Sequence, residues 1–475
     1  MDSRTAWKIY AALLFGTFVT IEAAAFQAPA LPSLTGHFGI PINLAALVLM
    51  SYFVGLTVFA PIMGRLGDQR GRKRVLLAGL LVFALSEFAA AAAANFHVFL
   101  AARLAQGVGV ACILPGVFAY IGHLFPEHRR GTALGIFAMT MTLGAASGGL
   151  LGGLLIDRLG WPSIYWISGV LALAGLVPVA LLVPDIRSER STAPFDLKGA
   201  LYLFTTIAAL LSLPTWIGNF GLRSPYTAAI VVTGLLGLTL LWRNSQRVAA
   251  PVIDIAILRR PAFALPSAIY WLHLLSFSGV VYSLAFFVTG RPGGSAAQFG
   301  FVTLFLYGSS VVASPLAGRL VDRIAPRHVT TAALAGMLAG LALLLTLRSD
   351  TPLWLVITTV CVLGIAMGFN TPAVMKLALG AVPPERLGAG TGLFSTLRDL
   401  GSPTGSSVSL AVFSASLAFH KQQGSPDALA AALGTVGWLL VALIGIALLL
   451  SLRLRVPTAH PLAVQSSAIG DSRSS

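Results

Sequence analysis

Charge is what this chain most lacks. Of its 475 residues only 10% are Asp, Glu, Lys or Arg, against 56% that are hydrophobic. A water-soluble domain carries about 25% charged residues, so a folded globule of this composition has too little polar surface to stay dissolved. Acid is scarcer than base, with 16 Asp and Glu against 31 Lys and Arg and a net charge of +15. Cysteine is nearly absent. Cys112 and Cys361 both fall in apolar stretches, which excludes a disulfide framework. His, Cys and carboxylate residues show no metal-ligand spacing, and no nucleophile and base stand together, so neither a metal centre nor an enzyme is expected. No G-x-x-x-x-G-K-[ST] phosphate loop occurs and no sizeable polar stretch interrupts the chain, which leaves no room for an ATP-hydrolysing domain. No cleavable signal peptide is expected, because the first apolar stretch is too long.

What the chain has in abundance is apolar runs long enough to cross roughly 30 Å of hydrocarbon. Fourteen are read, at about 9–30, 42–63, 75–95, 98–122, 131–156, 163–183, 197–217, 226–243, 262–288, 298–320, 328–347, 353–379, 388–417 and 430–452. Lipid cannot hydrogen-bond a backbone, so each run is expected as a helix and the fold as all-α. The basic residues sit mostly at the chain ends and in the even-numbered loops, such as Arg65, Arg70, Arg72, Lys73 and Arg74. The odd-numbered loops hold only Arg158, Arg223, Arg291, Arg348 and Lys421. That asymmetry predicts a multi-pass protein of the cell membrane with both termini in the cytoplasm. It also assigns the positive charge to orientation and anionic lipid rather than to nucleic acid.

The chain repeats itself. Gly135, Gly144 and Gly148 form G-x8-G-x3-G, and the same spacing recurs at Gly392, Gly401 and Gly405. Pro61-x-x-Gly64-Arg65-Leu66-x-Asp68 likewise recurs as Pro315-x-x-Gly318-Arg319-Leu320-x-Asp322. Two copies of one multi-helix unit in an apolar chain indicate a membrane transporter built from two halves. The expected division is a six-helix bundle over 1–184, a linker and inserted helix pair over 185–260, a second six-helix bundle over 261–456, and a disordered tail over 457–475.

Several motifs then resemble those of the major facilitator superfamily, over about residues 10 to 455. Gly64-Arg-Leu-Gly-Asp68-Gln-Arg70-Gly71-Arg72-Lys73-Arg74 is similar to its G-x-x-x-D-R-x-G-R-R loop. The resemblance makes Gly64, Asp68 and Arg72 a latch, with Asp68 meeting the N-terminus of a helix, or an Arg, in the other half; a bare turn signal is the alternative. Arg103-Leu-Ala-Gln106-Gly107 resembles the R-x-x-Q-G motif, which implies a part for Arg103 in proton transfer; the alternative is a structural ion pair. Gly135, Gly144, Gly148, Gly152 and Gly153 resemble the antiporter motif G-x8-G-x3-G-P-x2-G-G, with Gly149 where the family has Pro. Gly144, Gly148 and Gly152 lie four apart on one helix face, where two backbones can pack in contact. The inserted pair, with Phe195-Asp196-x-x-Gly199 before it and Pro251-Val-Ile-Asp254 after it, resembles the fourteen-helix drug:proton antiporters. Their helix 1 acid motif is altered here, the acid being Glu22 and the nearest amide Gln27 ahead of Ala30-Leu31-Pro32.

Three acids fall well inside spans. Glu22 and Asp399 are the expected proton-coupling groups together with Arg103. Glu87, on a helix expected at the periphery, is read as a lipid-side or interhelix residue. Arg398 and Asp399 are adjacent and point about 100° apart on a helix, so they are not expected to neutralise each other. Phe26, Gln27, Trp271, His273, Phe369 and Asn370 are candidates for an apolar substrate pocket with a few polar contacts. The expected function is proton-driven export of small amphipathic or cationic organic compounds by a monomer without cofactors. The alternatives are a symporter or facilitator for an endogenous metabolite or lipid, and a transport-inactive sensor or scaffold.

Overall fold

The computed structural model describes residues 3–186, 196–248, 251–253, 255–382 and 387–454. Phe195, Asp254 and the 457–475 tail lie outside the described residues, as do the side chains of Asp68 and Asp322. The described chain is helical throughout. The first bundle holds α1 (Ser3–Ala25), α2 (Gln27–Phe38), α3 (Ile42–Arg70), α4 (Arg72–Ala91), α5 (Phe96–Leu124), α6 (Glu127–Leu159) and α7 (Pro162–Leu182). An inserted hairpin follows, α8 (Leu197–Phe220) and α9 (Pro225–Arg247). The second bundle holds α10 (Pro261–Gly290), α11 (Ala296–Arg323), α12 (Pro326–Leu344), α13 (Leu353–Gly380), α14 (Leu387–Gln422) and α15 (Ala428–Ser451).

Two features differ from the sequence reading. The span expected at 9–30 is broken at Phe26 into α1 and α2. Pro29 has no N–H to give the Ala25 carbonyl and its ring crowds that position, so the ladder cannot run through. Of the fourteen spans expected, 13 helices among the described residues are long and apolar enough to cross a membrane. The missing one is α14, whose first half carries Arg398, Asp399 and several hydroxyls in an otherwise membrane-length helix.

Small residues set how closely the helices approach. A Cβ built at Gly109 of α5 would fall 2.8 Å from the Phe83 nitrogen and 2.9 Å from the Gly79 carbonyl of α4, so those backbones lie in contact. The repeated glycine spacing does the same work twice. In the first bundle Gly144 and Gly148 of α6 pack on α1, a Cβ at Gly148 falling 2.7 Å from the Glu22 carbonyl. In the second, Gly401 and Gly405 of α14 pack on α10, where a Cβ at Gly401 would stand 3.1 Å from the Trp271 carbonyl. Gly135 and Gly392, the outlying members of both copies, face open space. The repeat in sequence is therefore a repeat in packing.

The bundles meet along two equivalent seams, α6 against α11 and α3 against α14, with α2 against α10 across the centre. Near the face opposite the chain ends the α6–α11 seam is shut. Gly153 abuts the Ala296 carbonyl, and Gly149 abuts Gly300 and Thr303. Toward the face that carries the chain ends, a Cβ built at Gly135, Gly308 or Gly318 would meet nothing within 4 Å. The inserted hairpin lies over the other seam. Helix α8 packs on both α3 and α14, while α9 packs on α8.

Candidate functional site: a central cavity and the polar cluster beside it

A cavity of about 170 Å³ lies where the bundles meet. It is walled by Ile21, Ala24 and Ala25 of α1, Tyr52 of α3, Arg103 of α5, and Tyr282, Thr303 and Tyr307 of the second bundle. Closer to the chain-end face a second cavity of about 490 Å³ is bordered by Thr57, Arg65, Phe118, Leu203, Arg398 and Asp399. Both halves and the inserted α8 contribute to its walls.

Arg103 is the charged group of the central cavity. It is 1% exposed, its Nε donates to the Val48 carbonyl at 3.4 Å and its Nη1 donates to Gln106 Oε1. The guanidinium carbon stands 4.8 Å from the centre of the Tyr52 ring, a separation at which the ring face attracts a cation. A charge in the membrane interior is expensive, at least ~2.5 kcal/mol on insertion scales, and these contacts offset part of that. Nη2 has no hydrogen-bond partner among the described residues.

The other candidates from the sequence are not all gathered here. Glu22 is buried, and its neighbours Ile21, Ala24 and Ala25 line the cavity. A rotation of 100° per residue separates them. Asp399 borders the larger cavity and forms an ion pair with its neighbour, Arg398 Nε to Asp399 Oδ1 at 2.8 Å. The sequence reading held that adjacent residues could not neutralise each other. The long Arg side chain curls back far enough to do so.

The six substrate candidates also scatter. Gln27 accepts a hydrogen bond from the Tyr165 hydroxyl at 2.8 Å and donates to the Ala23 carbonyl at 3.1 Å, which braces the break between α1 and α2. Phe26 fills the space opposite Gly152. Trp271 sits half-buried on α10. Phe369 packs against the buried cluster of Val321, Val329 and Ala373. His273 and Asn370 are fully buried, and neither ring nitrogen of the one nor either amide atom of the other has a partner among the described residues. Tyr52, Tyr282, Tyr307 and Thr303, which do wall the cavity, carried no distinguishing signal in the sequence. Nothing in a lone Tyr within a span separates a cavity wall from packing.

The loop read as a latch is described in part. Gly64 lies 3.4 Å, by its would-be Cβ, from Pro115 of α5. Gly71 takes φ +103°, and a Cβ there would come within 2.7 Å of the Asp185 carboxylate, so a larger residue would meet both strain and a clash. The Arg72 nitrogen donates to the Ile186 carbonyl at 3.4 Å. These contacts tie the loop to the end of α7 in its own bundle. Asp68, the acid of the latch, lies outside the described side chains.

One acid that the sequence reading did not single out spans the two bundles. Asp157, at the end of α6, accepts from the Ala296 nitrogen at 3.1 Å and the Ala297 nitrogen at 2.8 Å. It caps the start of α11, where free N–H groups and the helix dipole favour a carboxylate.

Comparison with known proteins agrees with this architecture. The Major Facilitator Superfamily is matched over residues 13–406 and again over 267–470. Multidrug resistance protein Stp of Mycobacterium tuberculosis is 30% identical over 418 residues, which is 87% of this chain and 77% of that one. Riboflavin transporter RibZ of Clostridioides difficile is 24% identical over 417 residues, 88% of this chain and 90% of that one. Among solved structures, a bacterial homolog of the human lysosomal transporter Spinster, inward-facing and unoccupied, superposes with a TM-score of 0.70 at 14% identity. It covers 95% of this chain and 97% of that chain. With two repeated bundles around a central cavity, many apolar helices and a family match along its length, this chain is a multi-pass membrane transporter of the major facilitator superfamily and not an enzyme.

Proposed function

We propose that the chain is a proton-coupled antiporter that exports small amphipathic organic molecules across the cell membrane by alternating access, with both termini cytoplasmic. The observation that carries this reading is Arg103: a permanent cation buried at the wall of a cavity between two bundles, with one N–H group still unmet. Such a group marks an ion or substrate path far more often than a structural prop. The walls support an amphipathic cargo, since Tyr52, Phe53, Tyr282 and Tyr307 offer aromatic surface with hydroxyls at its edge. A cationic cargo would meet Asp399 in the larger cavity, where it would have to displace the Arg398 guanidinium. Glu22 and Asp399 remain the proposed proton-coupling acids beside Arg103. The chain works as a monomer, needs no cofactor, draws on the proton gradient and is solvated by membrane lipid.

A second reading, a carrier for an endogenous metabolite, is favoured by the altered acid motif at Glu22 and by the likeness to a protein named a riboflavin transporter. Purified protein in liposomes under an imposed pH gradient separates the two, with ethidium and riboflavin as probes. Movement of a probe against the proton flow supports antiport, and movement with it overturns antiport. Immobility of a broad panel of dyes, cations and metabolites under every gradient would leave a scaffold.

A further inference from the structure

Glu87, read from the sequence as a lipid-side or interhelix residue, is buried in the structure to 1% exposure. It lies on α4 one turn beyond the contact of Gly79 and Phe83 with Gly109. The matching turn of α5 carries Arg103 and Gln106. Three polar atoms in this slice of the bundle are buried and unmet among the described residues: one acceptor, Glu87 Oε1, and two donors, Arg103 Nη2 and Gln106 Nε2. Complementary groups left apart in this way point to a second arrangement in which they meet. The guanidinium here leans the other way, toward α3 and the cavity, held by Val48, Gln106 and the Tyr52 ring.

Helix α4 packs against α3, α5 and α7. The titratable groups they bring within electrostatic range of Glu87 are Tyr52, Arg103 and Tyr165 respectively. Arg103 is the cation among them. We infer that Glu87 is the acidic partner of Arg103, holding a proton while Arg103 leans into the cavity and releasing it when Arg103 turns to pair with it. The exchange balances simply. The O–H bond of the Glu87 carboxyl breaks, the proton passes to water at the cavity, and the carboxylate left behind is neutralised by a guanidinium that stays charged throughout. An isolated carboxylate in this apolar slice would be heavily penalised, which ties its charge to the position of Arg103.

This inference rests on the proton-driven reading above, and its test is arranged so that the two fail separately. In purified full-length protein, the infrared band of protonated carboxyl groups is followed as pH changes, for the wild type, E87Q, E87D and E22Q. The expected result is a titrating band that E87Q removes, E22Q leaves, and E87D keeps with a displaced midpoint. An identical band in E87Q overturns the inference; if E87Q does not fold, an undisplaced midpoint in E87D does so. In liposomes, E87Q is expected to keep ethidium exchange without a gradient and to lose about tenfold or more of uphill accumulation. Full uphill accumulation by E87Q would overturn the inference. If wild-type protein moves ethidium without regard to the proton gradient, the antiport reading falls, and the infrared titration still decides Glu87.

Discussion

The carboxylate of Asp157 leaves the end of α6 and closes on the backbone of Ala296 in the other bundle, 3.1 Å from its nitrogen, with the Ala297 nitrogen at 2.8 Å. This is a fastening between halves that must part if the opposite face is to open. A cap of this kind is worth ~0.5–2 kcal/mol. D157A is expected to shift the population toward opening of that face by several-fold, and D157N, which keeps an acceptor, by less. Distances between spin labels placed across the α6–α11 seam would measure both, and equal populations in D157A and wild type would refute the assignment.

Glycines at that seam differ in what opposes them. A Cβ at Gly153 would strike the Ala296 carbonyl, which is backbone, whereas one at Gly149 would strike the Thr303 hydroxyl, a side chain that can rotate. G153A is therefore expected to destabilise the closed seam by ~1–3 kcal/mol and G149A by less, with G135A, which meets nothing, near neutral. Thermal unfolding of the three variants in detergent gives the order. A fall in G135A as large as that in G153A would contradict it.

Asp196 anchors the inserted hairpin from a single carboxylate. It accepts from the Gly199 nitrogen at 2.8 Å, from Asn244 Nδ2 at 2.8 Å and from the Val252 nitrogen at 3.3 Å. The start of α8, the end of α9 and the strand of chain leading to the second bundle thus share one acceptor. Removing it leaves buried donors unmet, at ~1–3 kcal/mol, so D196A should expose the hairpin to protease well before N244A does. Limited proteolysis followed by mass spectrometry reads the site and the rate.

Asp427 supplies a pH dependence at the membrane surface. Burial alone would raise its carboxyl, but hydrogen bonds from the Ser349 hydroxyl at 2.5 Å, the Ser349 nitrogen at 2.9 Å and the Ala430 nitrogen at 3.0 Å outweigh it and hold it below its ordinary value. A carboxyl lowered by folding adds stability that is fully present above its unfolded value, near pH ~3.9. That contribution is lost as pH falls through the folded value. Unfolding midpoints of the wild type should drop across that acidic window relative to D427N. Parallel pH curves for the two would show the contribution to be absent.

The parts legible in the sequence were those in which one residue type has one physical use. Glycine at a fixed spacing in a span announces backbone contact, and both copies of that spacing do pack helix on helix, at Gly148 and at Gly405. Arg103 announced itself because a buried guanidinium demands partners. What was not legible depends on rotation about a helix axis. Ile21, which lines the cavity, and its neighbour Glu22 differ by 100°; no pattern in an all-round apolar helix fixes which side chains line it. For Glu87 the sequence left a lipid-side and an interhelix position open, and its burial favours the interhelix one, since an acid on a helix at the edge of a bundle can still point inward. The break at Phe26 had a visible sign in Pro29 that the length of the apolar run concealed. Asp157 was hidden because its partners are backbone nitrogens from a helix far along the chain.

The two seams between the bundles arise from the same repeat, yet the hairpin makes them unequal. Helix α8 stands across the join of α3 and α14 and touches both, while among the described residues the join of α6 and α11 is met by α2 rather than by the inserted hairpin. Any parting of α3 from α14 must therefore shift at least one of them against α8, whereas α6 and α11 can separate without disturbing the inserted pair.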